Sequence, residues 1–109
     1  MYTVIKQLEI SAAHQLITRH QSKCENLHGH NWHIKVHMQA EQLNEDGMVC
    51  DFSYIKKEIK DRMDHKNLNN LIPQPTAENI AKYICDLLGE RCTRVEVQET
   101  ANNIAIYER

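Results

Sequence analysis

Apolar and polar residues alternate from the start of the chain. Over residues 3–14, TVIKQLEISAAH, the positions Val4, Leu8, Ile10, Ala12 and His14 share one parity, with Lys6 the exception. That period of two predicts a strand with one buried face. Residues 28–40, HGHNWHIKVHMQA, alternate more cleanly. His28, His30, Trp32, Ile34, Val36, Met38 and Ala40 fall on one face, and Gly29, Asn31, His33, Lys35, His37 and Gln39 on the other. The turn segment NEDG follows. Over 52–63, FSYIKKEIKDRM, the period changes: Phe52, Ile55, Ile59 and Met63 recur at three and four, which predicts an amphipathic helix with Asp51 as its N-cap. After PQPTAEN, Thr76 is placed to cap a second helix with Ile80, Ile84, Leu87 and Leu88 on one face and Gly89 at its end. Residues 93–99 alternate again, with Val95, Val97 and Glu99 on one parity, ANN makes a turn, and IAIYER closes as a last strand.

The predicted order is β-β-α-α-β-β. A four-stranded antiparallel sheet with two helices on one face is an α+β layer architecture. Such a sheet leaves two free edges, which closure or covering must manage. The second strand's other face is polar along its full length, so the expectation is that several copies close their sheets into a barrel around a wet interior.

At 109 residues the chain is expected to form one domain spanning 1–109. It is 41% hydrophobic and 26% charged with a net charge of −2, so no basic surface supports nucleic-acid binding. No apolar run approaches the roughly 20 residues of a membrane helix, and the N-terminal segment alternates too early for a signal peptide. A soluble cytoplasmic protein with no membrane partner is the expectation. Four cysteines, Cys24, Cys50, Cys85 and Cys92, show no disulfide-scaffold spacing and are expected as reduced thiols. The last three sit in apolar surroundings and suit small buried hydrophobes. Cys24 stands among Lys23, Glu25 and Asn26.

Histidine is in excess. There are seven, and five of them fall between His14 and His33. His28 and His30 lie two apart on a predicted strand, so their side chains leave one face about 7 Å apart. His14 ends the first strand on its apolar parity, and a hairpin would bring it to the same point. Three imidazoles with an open fourth position is the pattern of a catalytic zinc site. His20, His33 and His37 suit ordinary surface positions. Cys24 is either a fourth ligand or a thiol working beside the metal, where a nearby cation lowers its pKa. Asp64 directly before His65 is a pairing used in acid/base chemistry, but on the residues alone an ordinary helix terminus is the favoured reading. Glu99 continues an apolar face, where a carboxylate needs a partner. On the residues alone a salt bridge is favoured over a ligand's N–H donors.

These pieces together resemble the family of 6-pyruvoyl- and 6-carboxy-tetrahydropterin synthases. The matching segments are SAAH (11–14), CENLHGHNW (24–32), GMVCDF (47–52), MDHKNLN (63–69), PTAEN (75–79) and VQETANN (97–103). Their joint order is specific, although an aromatic is commoner in the family at the position of Asn67. The resemblance implies a tunnelling fold, whose trimers close a barrel and stack into a homohexamer. It implies His14, His28 and His30 as zinc ligands and Cys24 as the catalytic acid/base. Asp64 and His65 would be its relay partners from a neighbouring subunit. Glu99 would anchor the pterin's pyrimidine edge, helped by Thr76 and Glu78. The implied substrate is 7,8-dihydroneopterin triphosphate. The spacing Cys24-x-x-x-His28 resembles the branch of these lyases that makes 6-carboxy-tetrahydropterin for queuosine and 7-deazapurine biosynthesis. Pyruvoyl formation is the alternative within the family, and a non-catalytic zinc module is the alternative outside it.

Overall fold

The structure is a computed structural model that describes residues 1–19 and 25–109. His20, Lys23 and Cys24 lie outside the described residues. Strand β1 (Tyr2–His14) and strand β2 (His28–Ala40) form one long antiparallel hairpin, in register from Tyr2 opposite Ala40 to His14 opposite His28. Helix α1 (Phe52–Met63) follows, then a two-residue strand β3 (Lys66–Asn67) and a 3-10 turn over Leu68–Asn70. Helix α2 (Ala77–Leu88) leads into strands β4 (Cys92–Thr100) and β5 (Asn103–Glu108). The sheet order is β3-β1-β2-β4-β5.

The four long strands and both helices match the periodicity. The fifth strand does not appear in the pattern. β3 pairs parallel to β1 at Ala12 and Ala13 alone. Two residues are too few to display an alternation, and this pairing is made by a tertiary approach rather than by a local preference.

Both helices start where the side chains can satisfy their first free amides. The Asp51 carboxylate accepts from Ser53 N, and the Thr76 hydroxyl accepts from Asn79 N. Gly89 ends α2 at a φ of 86°, a backbone conformation that glycine adopts without a Cβ penalty. The predicted helical faces need two adjustments. Phe52 is 46% exposed, so α1 buries Ile55, Ile59 and Met63 only. On α2, Ala81 and Cys85 join Ile80, Ile84 and Leu88 in the buried set, while Leu87 is half-buried. Cys85 and Cys92 are buried free thiols as expected; Cys50 is also free but only half-buried.

The core lies between the helices and one face of the sheet. Trp32, Ile34, Val36 and Met38 of β2 and Val95 and Val97 of β4 meet those helical residues. Each fully buried aliphatic side chain contributes on the order of 2 kcal/mol. The same parity carries the chain from this dry core to a polar end: Ile10 and Ala12 give way to His14, Trp32 to His30 and His28, and Val97 to Glu99. The opposite face of the sheet is open. His33 there is 57% exposed, and Ile104 and Ile106 of β5 are 57% and 47% exposed.

Candidate metal centre

Three strands deliver the site. His14 ends β1, His28 and His30 open β2, and the register sets His14 directly opposite His28 and Ala12 opposite His30. On the next strand Val97 pairs with Ile34 and Gln98 with His33, so Glu99 comes alongside the start of β2 on the core face. One ligand atom from each of His14, His28, His30 and Glu99 falls within 4.8 Å of the others, and this group can hold a metal ion. His14 is buried, and the other three are half-buried.

Hydrogen bonds fix which ring nitrogens of the donor set carry protons. His14 Nδ1 lies 2.7 Å from the Pro75 carbonyl oxygen and His28 Nδ1 lies 2.6 Å from that of Asn26. A carbonyl can only accept, so each Nδ1 carries the proton and donates it. In the neutral imidazoles both Nε2 atoms then present lone pairs, and they stand 3.0 Å apart. His30 Nε2 is buried without a hydrogen-bond partner among the described residues. Its 3.1 Å approach to Glu99 Oε1 is close enough for an ion pair but not in line for a hydrogen bond. Glu99 Oε1 is also 3.3 Å from His14 Nε2. Lone pairs that converge around an orphaned buried nitrogen suit a cation, and carbonyls that lock the outer ring nitrogens are the usual support of metal-bound imidazoles. The residues therefore fit a divalent metal. Burial holds the His30 pKa below that of an ordinary histidine, and the other two histidines push the same way against the opposing carboxylate of Glu99. The neutral, ligating form is thereby favoured.

Trp32 backs the group. Its indole N–H donates to the Ala12 carbonyl at 3.1 Å, and its ring meets His14 and His30 edge-on at centroid distances of 4.9 and 5.1 Å.

Of the remaining predicted residues, Glu78 and Glu99 line one open cleft and His65 another, Asp64 and Thr76 line neither, and Cys24 lies outside the described residues. A cleft of about 410 Å³ is lined by Glu78, Glu99, Asn102 and Asn103. Thr76 is at its edge in sequence, with its hydroxyl oxygen accepting from Asn79 N at 3.1 Å and its own O–H left to donate. The second cleft, about 570 Å³, is lined by Ser11, Ala13, His30, Asn31, His65 and Lys66. Gly29 belongs to its wall; a Cβ there would meet only the Ala12 carbonyl, at an ordinary 3.7 Å. The glycine keeps this wall low and is not demanded by packing. Asp64 and His65 are pinned to β1 by reciprocal bonds: Ser11 N donates to Asp64 Oδ1 at 2.9 Å, and His65 N donates to the Ser11 carbonyl at 2.6 Å. His65 has a φ of 57°, the left-handed region that a non-glycine residue occupies at a cost. Its ring is 82% exposed, and its Nε2 is 3.7 Å from Asp64 Oδ2, an ion-pair distance.

Two parts of the site have no sequence signal of their own. The carbonyls of Pro75 and Asn26 come from backbone that any residue could provide. Glu99 had a signal, its parity with Val95 and Val97, but parity alone did not show that it would meet the histidines.

The family profile described as 6-pyruvoyl tetrahydropterin synthase matches residues 3–109. The chain belongs to that family. It is 36% identical to the 6-carboxy-5,6,7,8-tetrahydropterin synthase of Synechocystis sp., over 98% of this chain and 93% of the relative. It is 32% identical to the human 6-pyruvoyl tetrahydrobiopterin synthase, over 96% and 90%. Among solved structures, the 6-pyruvoyl tetrahydropterin synthase of Caenorhabditis elegans superposes with a TM-score of 0.78 at 31% identity, covering 99% of this chain and 95% of that one. The expected α+β tunnelling fold is the fold of this family member.

Proposed function

We propose that the protein is a zinc-dependent lyase that converts 7,8-dihydroneopterin triphosphate to 6-carboxy-5,6,7,8-tetrahydropterin, releasing acetaldehyde and triphosphate. One water is consumed, and the ring is reduced at the expense of the side-chain carbons. The observation that carries the reading is the convergence of the His14, His28 and His30 Nε2 atoms with the Glu99 carboxylate, which also lines an open cleft with Glu78. Glu78 and Glu99 face one cleft, and carboxylates accept well from the amino and ring N–H donors of a pyrimidine edge. His65 and Lys66, an acid/base group and a cation, line a second cleft walled by Ser11, Ala13, Gly29 and Asn31, residues that alternate to the other face of β1 and β2.

His14, His28 and His30 would hold the metal, and a bound zinc ion supplies Lewis acidity toward side-chain oxygens. Glu99, with Glu78 and the Thr76 hydroxyl, fixes the ring so that the side chain lies across the histidines, a positioning role. Cys24, four positions before His28, removes a side-chain proton as its thiolate. His65, with Asp64 stabilising its charged form, returns a proton. Positions 24 and 65 come from different copies of the chain in this reading.

Assembly follows from the same sheet. The outer edge of β1 is paired only at Ala12 and Ala13 among the described residues, β5 ends the sheet, and the open face carries exposed Ile5, Ile104 and Ile106. Copies joined edge to edge would close a barrel over that face, as a trimer that stacks into a hexamer. A monomer at micromolar concentration in sedimentation would refute this. No helix among the described residues is long and apolar enough to cross a membrane; a cytoplasmic place in queuosine-type deazapurine synthesis belongs to the proposal.

The deciding experiment incubates the zinc-loaded protein with dihydroneopterin triphosphate and follows acetaldehyde together with the pterin products. Acetaldehyde with a carboxypterin supports the proposal. A pyruvoyl pterin without acetaldehyde would favour the reading suggested by the human relative, and no turnover with tightly held metal would leave a zinc module. The zinc content of Cys24→Ala separates the roles of that thiol: full zinc with lost turnover fits acid/base work, whereas lost zinc makes it a ligand.

A further inference from the structure

β1 does not stop being held where its strand ends. Two carboxamide side chains continue the sheet beyond His14. Asn69 Oδ1 accepts from Gln15 N at 2.8 Å, and Asn69 Nδ2 donates to the Gln15 carbonyl at 2.8 Å. Gln74 Oε1 accepts from Ile17 N at 3.1 Å, and Gln74 Nε2 donates to the Ile17 carbonyl at 2.7 Å. Gln15 and Ile17 are alternate residues, as a neighbouring strand would bond them. A carboxamide carries one acceptor and a donor pair, so it can replace a peptide group in such a ladder.

The residues that supply these amides are themselves fixed. Asn69 N donates to Asn67 Oδ1 at 3.0 Å, directly after β3 has paired with β1. The Gln74 carbonyl accepts from Thr76 N and from Asn79 Nδ2, both at 2.9 Å, which ties it to the start of α2. The next residue, Pro75, gives the carbonyl that receives the Nδ1 proton of His14. One segment, 66–75, therefore grips the backbone after His14 and also orients its ring.

We propose that Asn69 and Gln74 are positioning residues for the His14 imidazole. Their paired amide bonds hold residues 15–17 in line with β1, keep His14 Nδ1 on Pro75, and so aim Nε2 at the centre of the donor group. The inference rests on reading His14, His28 and His30 as a metal centre.

The test uses Asn69→Ala, Gln74→Ala and the double variant, with zinc dissociation constants measured by competition with a chromophoric chelator. Loss of groups that orient a ligand weakens metal affinity about 10- to 100-fold, and a loss in that range is expected for the double variant. Asn69→Asp, which keeps the acceptor for Gln15 N and loses the donor, should fall between wild type and Asn69→Ala. The same pair of changes in a His14→Ala background should cause little further loss, because the residue they act through is gone. An equal loss in both backgrounds would mean a general structural role and overturn the proposal. If the double variant does not fold, the single variants carry the comparison.

A second arm needs no metal: ¹⁵N NMR of the His14 ring in the metal-free protein. Wild type should show the Nδ1–H tautomer, and the amide variants should lose that preference. An unchanged ring signal together with unchanged zinc affinity refutes the clamp. Wild-type protein that binds no zinc, with a tautomer that still responds to the variants, refutes the metal reading and leaves the clamp standing.

Discussion

The indole of Trp32 stands edge-on to the imidazole of His14, their centroids 4.9 Å apart at an interplanar angle of 86°. Trp32 is the only tryptophan in the chain, and it is fully buried. Intrinsic fluorescence therefore reports on the donor group. Titration with cobalt(II), a quencher at this range, should lower tryptophan emission and saturate at one equivalent per chain. His28→Ala should weaken or abolish the saturable part. Quenching without saturation, or saturation unaffected in His28→Ala, would place the ion elsewhere.

His65→Gly should separate chemistry from folding. The left-handed φ of 57° costs a non-glycine residue about 1–3 kcal/mol, and glycine relieves that cost while adding freedom to the unfolded chain. Urea stability should change by no more than about 1 kcal/mol. Turnover should fall by roughly 10²- to 10⁴-fold, the usual weight of a general acid/base group. A fully active variant would remove His65 from the mechanism.

Asp51→Ala should destabilise the protein by about 1 kcal/mol, the typical value for losing an N-cap oxygen. That oxygen accepts from Ser53 N at 2.8 Å. For a domain of this size the melting temperature should drop by about 4–8 °C. Metal affinity should be unchanged, since α1 contributes no donor. A melting temperature equal to wild type would mean the cap is replaced by water.

Stability should decline at alkaline pH through Cys92. Burial, reinforced by the neighbouring Cys85 thiol, pushes its pKa from 9.0 up to about 12. The folded chain keeps this proton where the unfolded chain releases it. Its contribution is complete below pH 9 and fades as pH rises toward 12. Urea midpoints at pH 8 and pH 10.5 should differ more for wild type than for Cys92→Ala. Equal differences would assign the alkaline loss to other groups.

The donor group shows how much of the site was legible beforehand. Parity placed His28 and His30 on one face, and the hairpin brought His14 to the same point. Glu99 was legible as a carboxylate out of place on an apolar face. Which histidines it would meet depended on the β2–β4 register, and that pairing joins residues some 65 positions apart. The Asn69 and Gln74 amides were not legible. Asn and Gln in a loop rich in turn residues look like solvated side chains, and nothing local distinguishes them.

The sequence by itself determined the four long strands, both helices with their caps, and the face that β1, β2 and β4 turn to the core. Those features follow from periods of two and 3.6 and from the chemistry of cap residues, all of which act over a few neighbours. Tertiary structure alone decided the short parallel strand β3, the carbonyls that hold His14 and His28, the arrival of Glu99 beside them, and the placing of Glu78 and His65 in separate clefts. Each of these needs a backbone group or a distant side chain to reach a set place, and only the packed sheet and helices define where that place is.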